Sequence, residues 1–172
     1  MSRLTTPSRK PPEAKDELVK WLNKWTFDRF VTLAFNSAAS GNGLSYESDR
    51  QYQFLRKKLR LWDAFMNRAL LGTNWQKTSD QLFCFYFLEK ANVNPHWHGL
   101  IRFFSNDEDE ISRQADIFDT RAQQLWVKLV PSGTVDIQPI DLQLSVVEYV
   151  AKSVPFGVNW DRFIVADEFG KG

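Results

Sequence analysis

The chain has 172 residues, enough for one compact domain with a real core and too few for two ordinary ones. Hydrophobic residues make up 43% and aromatic residues 15% of it, which excludes a disordered chain. A net charge of +1 leaves no overall basic footprint, the single Cys84 excludes an internal disulfide or a Cys-based zinc cluster, and no apolar run approaches the roughly 20 residues of a membrane span.

The polar start MSRLTTPSRKPPEAK carries no hydrophobic signal core, so the expectation is a soluble protein of the cytoplasm or nucleus of a host cell, without membrane contact. Residues 1–12, rich in Ser, Thr, Pro and basic side chains, read as a flexible tail, and 13–172 as one domain. EAKDELVKWLNKW places Leu18, Leu22 and Trp25 at helical spacing, a short docking helix. FDRFVTLAF (27–35) is rich in strand formers and predicts a first strand ending near Asn36, followed by the loop SAASGNGLS.

From Ser48 onward, Tyr52, Leu55, Leu59, Trp62, Met66 and Ala69 recur at steps of three and four, one face of a long helix punctuated by Gly72 and Asn74. QLFCFYFLE (81–89) is apolar on both alternating faces until Glu89, so it predicts a strand covered on both sides. HWHGLIRFF (96–104) follows after the short KANVNP connection and makes a hairpin with it.

Asn106 is the expected N-cap of a second long helix, with four acids in its first turn and Ile111, Phe118, Ala122, Leu125 and Leu129 as its apolar stripe. GTVDIQPI (133–140) predicts a fourth strand. A last helix covers roughly Leu142 to Val154 and stops before Pro155. Its apolar stripe is Leu144, Val147, Val150, Ala151 and Val154. After the docking helix the order is β, α, β, β, α, β, α, which suits an α+β fold with helices packed on a mainly antiparallel central sheet.

The only two histidines, His96 and His98, alternate with Trp97 and so share one strand face, about 6–7 Å apart at Cα. Two readings stand at this point: two strand histidines without a common task, or a pair of metal ligands. The hairpin brings Glu89, which closes the preceding strand, beside them and completes a set of two nitrogens and one oxygen. Equally, Glu89 marks where that strand meets water. Such a set accommodates Mn²⁺, Zn²⁺ or Mg²⁺, and the sequence does not choose among them.

In LQLSVVEYVAKSV, at about 100° per residue, Tyr149 falls nearly opposite the apolar stripe, with Lys152 about 60° away on the same side. The pair is either an amphipathic Tyr beside a solvated Lys, or a phenol with a cation within reach of a phosphate. Arg56, Lys57, Lys58 and Arg60 form the densest basic run, which taken alone reads as a solvated outer helix face. Trp97 is either a stacking residue or part of the core.

Three stretches in this order, FVTLAFN, PHWHGLI and YVAK, together resemble the HUH endonucleases, the single-tyrosine rolling-circle replication initiators and their relatives, over about residues 27–154. The resemblance implies a ferredoxin-like sandwich and a metal-dependent, sequence-specific single-stranded DNA nickase and strand-transferase that initiates replication. It implies Tyr149 as nucleophile, giving a 5′-phosphotyrosine and a free 3′-hydroxyl, with Lys152 beside it. Glu89, His96 and His98 would hold Mn²⁺ or Mg²⁺. Asn36 and its strand are by analogy nearer to architecture and DNA contact, and on this reading Arg56, Lys57, Lys58 and Arg60 are the first candidate patch for DNA affinity.

Two departures bear on partners. Relatives with two tyrosines carry the second four residues on, where this chain has Ser153, so rejoining would need a second subunit or a second visit to the site. No G-x-x-x-x-G-K-S loop is present, so the helicase, like the polymerase, would be a separate protein acting on single-stranded or hairpin origin DNA. The competing readings are a single-tyrosine transposase of the same chemistry, working as a dimer, and a non-catalytic single-stranded nucleic-acid-binding domain.

Overall fold

The computed structural model describes residues 11–36, 49–90, 94–153 and 163–169. The tail at 1–10, the loop SAASGNGLS, the middle of the KANVNP connection, and Val154 with the residues up to 162 lie outside the described residues. The elements are α1 (Pro11–Leu22), β1 (Arg29–Ala34), α2 (Asp49–Leu71), β2 (Phe83–Glu89), β3 (His96–Arg102), α3 (Glu108–Leu129), β4 (Thr134–Pro139), α4 (Gln143–Ser153) and β5 (Phe163–Val165). The five strands form one sheet in the order β4-β1-β3-β2-β5, every neighbouring pair antiparallel. The expected α+β class holds, with helices on both faces of the sheet.

Strand alternation sends side chains to two cores. Val31, Leu33, Cys84, Tyr86, Leu88, Trp97 and Ile101 face α2 and α3 in the larger one. Phe30, Phe85, Phe87 and Leu100 face α1 and α4 in the smaller one, against Leu18, Leu22, Val147, Val150 and Ala151. The continuous apolar character of β2 follows from this double cover. Trp97 is wholly buried in the larger core, its Nε1 donating to the Leu55 carbonyl at 3.3 Å, which rules it out as a stacking surface.

Several expectations need correction. The helix begins at Pro11, so the last two residues of the expected tail belong to α1, with proline suited to a first helical turn. Asp107, not Asn106, caps α3: its backbone is extended and its Oδ1 accepts from the Glu110 N–H at 2.9 Å. Leu144 does not join the buried stripe of α4 but lies 54% exposed, and Leu142 is 72% exposed, because the helix settles on Val147, Val150 and Ala151. The sheet gains β5 at its edge, paired with β2. Gly72 does end α2, with a left-handed φ of 83° and its N–H bonded to the Arg68 carbonyl. Among the described residues no helix is long and apolar enough to cross a membrane.

Candidate metal centre

The β2–β3 hairpin sets Glu89 directly opposite His96 and Phe87 opposite His98. Alternation then puts Glu89, His96 and His98 on one face, the face that carries α1 and α4. Glu89 Oε2 lies 3.0 Å from His96 Nε2 and 2.6 Å from His98 Nε2. All three ligand atoms fall within 4.8 Å of one another. Two ligands about 2.1 Å from one ion and at right angles to each other stand about 3 Å apart, so the spacing of Glu89 from each histidine is near that of adjacent positions on one coordination sphere.

His96 supplies the test of fit. Its Nδ1 lies 2.9 Å from the Asn94 carbonyl, which only accepts, so Nδ1 carries a proton. In the neutral ring Nε2 is then a lone pair, and it faces a carboxylate oxygen. Two acceptors 3.0 Å apart repel unless a cation, a proton or a metal ion, stands between them. Burial alone would raise the Glu89 carboxyl, but the two imidazoles beside it, His98 first and then His96, outweigh it and hold the pKa below the ordinary value. Burial pushes His98 down, against its hydrogen bond to Glu89, so its neutral form is favoured.

The His98 ring is held on several sides. Phe30 stacks on it with centroids 5.3 Å apart and planes 16° from parallel, and Thr32 Oγ1 lies 3.1 Å from its Nδ1. Tyr149 of α4 stands edge-to-face with it at 5.4 Å and with Phe30 at 5.9 Å. The start of α4 is fixed by Gln143, whose Oε1 accepts from the Phe27 N–H while its Nε2 donates to the Trp25 carbonyl. Tyr149 remains 47% exposed. Burial, and then the charge of Glu89, raise its phenol above the ordinary value.

No known protein family, curated protein or solved structure matches this chain.

The structure therefore brings together Glu89, His96, His98 and Tyr149, from β2, β3 and α4. Lys152 is exposed one turn beyond Tyr149 on the same helix. Asn36 lies just past β1 with a left-handed φ of 52° and donates through Nδ2 to the Ser132 carbonyl at 2.6 Å, an architectural bond between the segment that follows β1 and the one that leads into β4. Arg56, Lys57, Lys58 and Arg60 are not brought to the site: they lie on α2, across the sheet from the triad. Lys58 sits with its ammonium 5.3 Å from the Phe54 ring centre. Phe30, Thr32 and the Asn94 carbonyl do not stand out in the sequence. Their signal emerges only with the register, since Phe30 and Thr32 share strand parity with a face that the histidines occupy.

Proposed function

We propose that the chain is a metal-dependent single-stranded DNA nickase and strand-transferase of the HUH type, which opens rolling-circle replication through a 5′-phosphotyrosine. The observation that carries this reading is the Tyr149 ring standing 5.4 Å from His98, a member of the Glu89–His96–His98 set. A metal hydrolase built on the same triad has no use for a tyrosine there, whereas a transferase needs a nucleophile beside its metal. The HUH-type ferredoxin-like sandwich belongs to the same proposal.

Glu89, His96 and His98 would hold a divalent ion, and two imidazoles with one carboxylate suit Mn²⁺ better than Mg²⁺. When bound, the ion supplies Lewis-acid polarisation of the scissile phosphate. Tyr149 Oη forms a bond to phosphorus as the bond to the 3′-oxygen breaks. The phenolic proton is lost and the departing oxygen gains one, leaving a free 3′-hydroxyl. One phosphodiester replaces another, so the joined strand can later be returned to a hydroxyl. Lys152, exposed on the same helix, offers its charge to the phosphate. With one catalytic tyrosine per chain, a homodimer or a second visit completes rejoining, and helicase and polymerase act from separate chains.

The test incubates purified protein with Mn²⁺ or EDTA and a labelled pool of single-stranded and hairpin DNAs rich in candidate origins, and resolves it on a denaturing gel. A DNA-labelled protein band that needs metal and is lost in Tyr149→Phe is expected. DNA that binds without metal and never becomes covalently attached would point instead to a non-catalytic binding domain. Joining of two different DNA ends, dependent on a dimer, would point to a transposase.

A further inference from the structure

A neutral imidazole has one N–H and one lone pair, so whatever faces one nitrogen constrains what the other can bind. His98 is only 3% exposed, and its Nδ1 must find a partner inside the protein. That partner is Thr32. The β1–β3 register pairs Thr32 with His98 directly, and the hydroxyl lies 3.1 Å from Nδ1. Two residues earlier on the same strand face, Phe30 fixes the plane of the ring.

The two histidines are thus held differently. The Asn94 carbonyl accepts only, and it presents His96 Nε2 as a lone pair at all times when the ring is neutral. A hydroxyl both donates and accepts. It accepts from Nδ1–H when Nε2 gives its lone pair to an ion, and donates to Nδ1 when Nε2–H turns to Glu89, 2.6 Å away. We infer that Thr32 is the positioning residue that lets buried His98 change tautomer, and so take up and release the ion at the triad. The inference rests on Glu89, His96 and His98 being a metal site. It also gives the FVTLAFN strand a task distinct from DNA contact.

Thr32→Val keeps the β-branched shape and removes the hydroxyl, leaving Nδ1–H buried without an acceptor in the metal-bound state. Mn²⁺ affinity, followed by the electron paramagnetic resonance signal of free Mn²⁺, is expected to fall ten- to hundredfold in Thr32→Val and to stay within about threefold in Thr32→Ser. Circular dichroism and melting would show both variants folded; Thr32→Ala replaces the valine variant should that one fail to fold. The second readout is proton–nitrogen resonance of the Zn²⁺-loaded, ¹⁵N-histidine protein, whose two imidazoles are the only ones in the chain. A slowly exchanging His98 Nδ1–H is expected in the wild type and Thr32→Ser, and is lost without the hydroxyl. Wild-type affinity together with the protected Nδ1–H in folded Thr32→Val, or an equal loss in Thr32→Ser, overturns the inference. A wild type that takes up no Mn²⁺ or Zn²⁺ overturns the metal reading itself, and the role of Thr32 with it.

Discussion

At Gly99 a Cβ would come within 2.7 Å of Val31 Cγ1 and 2.9 Å of Tyr86 Cε1, both buried on the face away from the histidines. The residue after the second histidine is therefore glycine for a packing reason. It lets the neighbouring strands close over β3 on one side while the ligands stand on the other. Gly99→Ala is expected to cost about 1–3 kcal/mol through overpacking, read as a lower urea midpoint with an unchanged slope. A variant as stable as the wild type would mean that Val31 and Tyr86 can yield, and that the close approach is not needed. The histidines were legible in the sequence because they are rare and two apart. Thr32 was not, since a threonine in a strand is ordinary until the register reveals an imidazole opposite it.

Among the elements, α3 shows how a boundary escapes the sequence. Asn106 and Asp107 are both good caps and adjacent, so residue type cannot choose between them. The choice is made by helix phase, which must bury Gln114, Phe118, Ala122 and Trp126 against the sheet and α2. Asp107→Ala is expected to cost about 1 kcal/mol, and Asn106→Ala a few tenths at most, in paired thermal melts; equal effects would place the cap elsewhere. The strand β5 escapes for another reason. Three residues hold no readable alternation, and their strand state comes from pairing with β2. On α4, the spacing fitted Leu144 as well as Val147, and only the contact with β1 and β2 decided which of them was covered.

For the whole molecule, the two-sided sheet decides what charge near charge in the sequence could not. The basic run on α2 and the triad on β2 and β3 are separated by the sheet itself, so any DNA contact by those cations lies on a different surface from the candidate chemistry. On that far side Asp63 is buried, accepting from Tyr86 Oη at 2.9 Å and from Asn67 Nδ2 at 3.1 Å, and Asn67 in turn accepts the Leu82 N–H. Burial raises the Asp63 carboxyl to about 7, against the hydrogen bonds from Tyr86, Asn67 and Cys84. A folded pKa above the unfolded one favours the protonated fold, so this contribution to stability is complete below about pH 4 and lost as pH rises through 7, at about 1.4 kcal/mol for each pH unit that separates the folded value from the unfolded one. The Asp63 carboxyl carbon should titrate near pH 7 by nuclear magnetic resonance, and higher in Tyr86→Phe, which loses a donor to the charged form. A midpoint near pH 4 would show that the hydrogen bonds outweigh burial. The hairpin carries a consequence of its own. Every candidate metal ligand lies between Glu89 and His98, whereas Tyr149 lies on α4, after α3 and β4 in chain order. A chain emerging from the ribosome can therefore close its short, local candidate ligand loop while α4 is still untranslated, and on the proposed function a nascent chain that had captured an ion would not yet carry Tyr149 with which to cut.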